Sequence, residues 1–128
     1  MALPVNHPLD EQTVSCHTAS FGTTPIAANA RAPFRGRITG FATVVNASFT
    51  GTLLVTPAII AAAADGVAPG AGTAVTGGTM TLSSTNSASG TTLSAVPTGA
   101  NVVNEGDIIN FVCSGATATA GPASFYAT

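Results

Sequence analysis

Ile108-Ile109-Asn110-Phe111-Val112-Cys113 is the stretch on which the reading of the fold turns. Ile108, Asn110 and Val112 fall on one side of an extended chain, and Ile109, Phe111 and Cys113 on the other. Alternation of this kind, in a run of β-branched and aromatic residues, is the mark of a strand. Glu105-Gly106-Asp107, just before it, is a turn sequence. After it, residues 114–122 read as a loop and residues 123–128, with Phe125 and Tyr126, as a last strand.

The same reading extends toward the N-terminus. Residues 91–96 form a strand that Pro97 ends, and residues 83–90 a loop of small polar residues. Residues 74–76 and 79–82 read as two short strands about the glycine pair Gly77-Gly78. Residues 37–46 alternate Ile38, Gly40, Ala42 and Val44 with Thr39, Phe41, Thr43 and Val45, so both faces are largely apolar, as in a strand covered on two sides. A short turn at Asn46-Ala47 joins this strand to residues 48–56 as a hairpin. Pro57 followed by the alanine-rich run to Ala64 predicts one short helix over 58–64, stopped by Asp65-Gly66. Residues 67–73 and 22–33 read as loops, and residues 13–21 as a strand.

Seven or eight short strands with no strand–helix–strand units predict an all-β fold, an antiparallel β-sandwich of jelly-roll type. Residues 13–128 form this single domain. Residues 1–12 form an extended N-terminal arm: Pro4 and Pro8 favour extended backbone, and Leu3, Val5 and Leu9 give it an apolar grip. Two readings of the arm stand side by side, a clasp on a neighbouring subunit and a strip packed along its own domain.

Only 6% of the 128 residues are charged, against about 25% in a typical globular domain, and lysine is absent. Three arginines and five acids give a net charge of −2, without the clustered cations that phosphate backbones require. Nucleic acid is therefore not an expected partner. With 45% hydrophobic residues, much of the surface must consist of Thr, Ser, Asn, Gly and Ala. Such a surface is easier to bury against a neighbour than a charged one. The N-terminus has no signal-peptide pattern, and no apolar run approaches the ~20 residues of a membrane span, so no membrane is expected.

The chemistry of catalysis is thin. His7 lies in the arm, and His17 adjoins Cys16 on a strand, where adjacent side chains face opposite ways. No serine sits in a nucleophile-elbow pattern, and the scattered acids match no calcium loop. The expectation is a non-enzyme with no cofactor and no metal. Cys16 and Cys113 lack zinc-site spacing and read better as free core thiols than as one bridge. Arg31, Arg35 and Arg37, with Phe34 among them, hold every cation of the chain within seven residues. Arginine suits interfaces because its planar fork binds carboxylates; the alternative is a solvated loop in which Arg37 pairs locally.

Three stretches carry a resemblance: residues 32–40 (Ala-Pro-Phe-Arg-Gly-Arg-Ile-Thr-Gly), residues 73–82 (Thr-Ala-Val-Thr-Gly-Gly-Thr-Met-Thr-Leu) and residues 97–109 (Pro-Thr-Gly-Ala-Asn-Val-Val-Asn-Glu-Gly-Asp-Ile-Ile). Together they resemble the small β-sandwich head decoration, or cement, proteins of tailed bacteriophages. The resemblance implies a structural virion protein, made in the host cytoplasm, that binds the capsid exterior. Its implied partners are the major capsid protein and itself, as a homotrimer. Leu3, Val5, Leu9, Arg31, Phe34, Arg35 and Arg37 are the candidate interface residues. The other reading is a phage fibre or receptor- or carbohydrate-binding β module, which the single tyrosine and missing tryptophan disfavour.

Overall fold

A computed structural model describes residues 11–83, 88–117 and 121–128 of the chain. Eleven strands occur among them: β1 (Val14–Thr18), β2 (Ala28–Arg31), β3 (Gly36–Arg37), β4 (Phe41–Val45), β5 (Thr50–Ile60), β6 (Thr73–Ala74), β7 (Met80–Ser83), β8 (Thr92–Ala95), β9 (Val102–Val103), β10 (Ile108–Thr117) and β11 (Ala123–Ala127). One sheet has the order β1-β11-β4-β8. The other runs β2-β10-β5-β6 with β7 also on β5, and β3 and β9 form a small ribbon. Every pairing is antiparallel. The two sheets pack together as a β-sandwich, and the chain changes sheet between β1 and β2, β4 and β5, β7 and β8, and β10 and β11, and also between β2 and β4 and between β8 and β10 by way of the ribbon strands β3 and β9.

β10 behaves as its alternation demands. Ile109, Phe111 and Cys113 are buried, while Val112 is 45% exposed on the outer face. Beyond Ser114 the pairing with β5 skips a residue, and Gly115 sits at φ +84°. This bulge shifts the phase, so Ala116, rather than residue 115, returns to the core. In the centre of the sandwich, Phe111 of one sheet stacks on Phe125 of the other, and Phe41 meets Phe111 edge-on at 5.7 Å and 89°.

Several expectations are corrected. First, residues 58–64 are not helical among the described residues: Ala58, Ile59 and Ile60 complete β5 and pair with Asn110, Ile109 and Ile108. Pro57 is compatible with this strand because its missing donor falls between β7 and β6. β7 pairs Thr52–Val55, β6 pairs Ala58 and Ile59, and only the Pro57 carbonyl is used there, accepting from the Val75 amide at 3.0 Å. Long-range pairing with β10 outweighs the local helix preference of alanine.

Second, β4 and β5 do not form a hairpin. β4 pairs with β11 and β8, and residues 46–49 carry the chain across to the other sheet. Phe49 anchors that crossing, buried edge-on against Phe21 at 5.4 Å. The strand read over 37–46 is also broken at Ile38–Gly40. There the Thr39 and Gly40 amides both reach the Thr128 carbonyl, and Ile38 bonds to Asn101 instead. Third, β6 and β7 pair with β5 rather than with each other. Gly77 turns the chain at φ +74°, and Gly78 lies so close to Phe41 that a Cβ there would sit 3.0 Å from the ring. β2, within the expected loop 22–33, owes its formation to β10, which pairs Phe111 with Ala28 and Ile108 with Arg31.

Candidate interaction surface

The outer faces of the sandwich follow from register. Across the β1-β11-β4-β8 sheet run two rows, Ser15–Tyr126–Ala42–Ser94 and His17–Ser124–Val44–Thr92. Across the other sheet run Asn29–Asn110–Ala58, Val112–Thr56 and Ser114–Leu54–Thr81. None of these positions holds Asp, Glu, Lys or Arg. Leu54 and Val112 are exposed large apolar residues, and Asn110 donates to Asn29 at 2.7 Å across the strands. The next row of this sheet, Arg31–Ile108–Ile60, carries its one charge, so the remaining rows can be covered without desolvation of ions.

Most of the charges among the described residues gather at one end. Arg31 closes β2, Arg35 precedes β3 and Arg37 lies in it, and Glu105 and Asp107 sit in the turn before β10. These segments are tied together: the Ala32 amide donates to the Asp107 carbonyl at 2.8 Å, and the Gly106 amide to the Ala32 carbonyl at 2.9 Å. Glu11 lines the same groove as Arg35 and Arg37.

The two acids of the expected turn over 105–107 differ in burial. Glu105 is exposed, but Asp107 is 6% exposed and its carboxylate is a clamp. Oδ1 accepts from the Ala62 amide at 3.0 Å and Oδ2 from the Asn104 amide at 2.8 Å. One side chain thus fixes the β9–β10 turn to the start of the loop after β5. Asn101, also buried, plays a matching part: its Nδ2 donates to the Ile38 carbonyl at 2.7 Å, and the Ile38 amide returns a bond to the Asn101 carbonyl. The sequence reading placed Asp107 in a turn without its clamping role and gave Asn101 no role. The Asn-Glu-Gly-Asp spacing of residues 104–107, which lets a carboxylate cap its own turn, was the available signal for Asp107.

The expected interface residues Arg31, Phe34, Arg35 and Arg37 all reach this end. Phe34 is 41% exposed, and Arg35 and Arg37 are exposed on either side of Gly36. The Arg31 guanidinium packs over Gly106, where a Cβ would lie 3.5 Å from Nη2. Among the described residues none of the three guanidiniums has an ion pair or hydrogen bond, so the local pairing considered for Arg37 is not made. Phe34, Arg35 and Arg37 line a groove of about 830 Å³ with Ile38, Val103 and Ile109. Leu3, Val5 and Leu9 lie outside the described residues.

Cys16 and Cys113 are free thiols. Burial pushes the Cys16 thiol up to about 11 and the Cys113 thiol up to about 12, the latter with a smaller contribution from Cys16. Cys16 turns toward the core and His17 away from it. Among the described residues, no three of His, Cys, Asp or Glu stand together in a way that would hold a metal ion. No protein-family model, no curated protein and no solved structure matches this chain.

Proposed function

We propose that this protein is a structural component of a virus particle, a decoration or cement protein that binds the outside of an assembled phage head and cross-bridges the major capsid subunits. The observation that carries the reading is how little charge the broad sheet faces hold: of the paired residues in the two sheets only Arg31, at the end of edge strand β2, is charged. A lattice component needs faces that neighbours can cover. Apolar burial there contributes about 25 cal/mol per Å², before the losses of association. Repetition over a lattice multiplies weak contacts.

The three stretches of the resemblance also adjoin one another. Residues 32–40 meet residues 97–109 through Ile38 and Asn101 and through β3 and β9, and residues 73–82 meet them through the Thr76–Gly99 bridge. Segments far apart in sequence thus make up one connected region. The purified protein mixed with undecorated heads is the direct test. Co-sedimentation with the heads and a gain in their heat resistance are expected; failure of both overturns the proposal.

A further inference from the structure

The groove at the charged end lies beside the core. Its floor reaches the core at Ile38, Val103 and Ile109, all of them buried, and its lining includes exposed Phe34 with Arg35 and Arg37, whose guanidiniums have no partner among the described residues. A fitting occupant is apolar along its length, carries acid at one end, and needs few backbone donors.

This chain contains such a segment, and it begins at the groove. Glu11 and Gln12 line the groove mouth, and the residues directly before them are Leu3-Pro4-Val5-Asn6-His7-Pro8-Leu9-Asp10. Three of these are large and apolar, two are prolines without an amide donor, and Asp10 with Glu11 makes up two of the five acids in the protein. Ten residues reach at most about 35 Å, ample to lie along a groove at their own point of attachment. Tethering there also makes the contact intramolecular, so even weak complementarity suffices.

We propose that the groove is the seat of the chain's own N-terminal segment. In this proposal Leu3, Val5 and Leu9 lie along the groove against its exposed apolar lining at Phe34, and Asp10 and Glu11 face Arg35 and Arg37. The inference is independent of the capsid reading, because it concerns the isolated protein.

The test uses a variant lacking residues 1–10 and a synthetic peptide of residues 1–12. The truncated protein should melt at a lower temperature, and the peptide should bind it saturably and restore the loss. Arg35→Glu with Arg37→Glu in the truncated protein should weaken peptide binding at least tenfold. Should truncation prevent folding, the same double substitution in the full chain serves instead: chymotrypsin should cleave after Leu9 at least tenfold faster, with circular dichroism unchanged. No peptide binding to a folded truncated protein, or unchanged cleavage in the full-length variant, overturns the proposal. So does a full-length oligomer that truncation dissolves, because the occupant is then a second copy.

Discussion

Phe111 of β10 and Phe125 of β11 stack across the two sheets, with ring centroids 5.0 Å apart and planes 13° from parallel. Both are fully buried, and Phe41 closes on Phe111 from a third strand. Truncating Phe111 removes contacts to both sheets at once. Phe111→Ala should cost about 3–5 kcal/mol, the range for large aromatic deletions in close-packed cores. Val112→Ala, one residue on but facing outward, should cost under about 1 kcal/mol. Denaturant unfolding of the two variants measures the contrast; equal losses would show that β10 is not packed in this phase.

The bulge gives a second check. Gly115 adopts φ +84°, and a Cβ there would fall against the Thr52 carbonyl. Gly115→Ala should destabilise by more than about 1–2 kcal/mol, the cost of left-handed backbone alone for an L-residue. Gly90, at φ +88° with open space around it, should show the backbone cost without the collision. A larger loss at 115 than at 90 is the expected order in thermal melts.

Asp107 joins two loops through two backbone amides. Asp107→Ala leaves both donors without their acceptor and should cost about 2–3 kcal/mol, whereas Asp107→Asn keeps one acceptor oxygen and should cost less. Hydrogen exchange at the Ala62 and Asn104 amides should quicken in both variants. An unchanged exchange rate at Ala62 would show that the carboxylate does not hold it.

The alternation around Phe111 was legible because the periodicity of a strand is written in the residues that face the core. What was not legible was which strand lies beside which. Residues 58–64 spell a helix locally, yet Ile60 is claimed by Ile108, some 48 positions away. Asn46-Ala47 has the length of a hairpin turn, yet Phe49 is drawn to Phe21 and the chain changes sheet. β2 is built on Ala28 and Ala30, small residues with little strand preference, and exists because β10 offers it a partner. The cluster of Arg35 and Arg37 with Phe34 was visible as sequence neighbours. The groove beneath them was not, since Val103 and Ile109 come from elements about 70 residues away.

The two thiols predict a dependence of stability on pH. In the folded protein burial raises Cys16 to about 11 and Cys113 to about 12 from the ordinary 9.0. Above pH 9 the unfolded chain releases these protons while the folded chain retains them. Their contribution is therefore fully present below pH 9 and declines as pH rises through 11 to 12. Stability should fall between pH 9 and pH 11, and Cys16→Ala with Cys113→Ala should flatten that slope. Ellman's reagent at pH 8 should label Cys113 far more slowly in the native protein than in denaturant.

The sheet faces allow assembly to be separated from folding. Val44 lies half-buried on the outer row His17–Ser124–Val44–Thr92, and Val112 is exposed on the opposite face. A glutamate at an exposed outer position keeps its carboxylate in water while the protein is alone, so Val112→Glu should change stability by no more than about 1 kcal/mol. If the face is covered by a neighbour, the same carboxylate must be desolvated without a cation opposite it, a cost of several kcal/mol and a hundredfold or greater loss of binding. Sedimentation of the unmodified protein should show a homotrimer, and head binding should be saturable. Val112→Glu and Thr56→Glu test one face, Val44→Glu and Ser94→Glu the other. The face whose substitutions abolish head binding while leaving the trimer intact is the capsid face, and the face whose substitutions dissolve the trimer is the one shared between copies. If all four variants bind and assemble as the unmodified protein does, the uncharged faces serve neither contact.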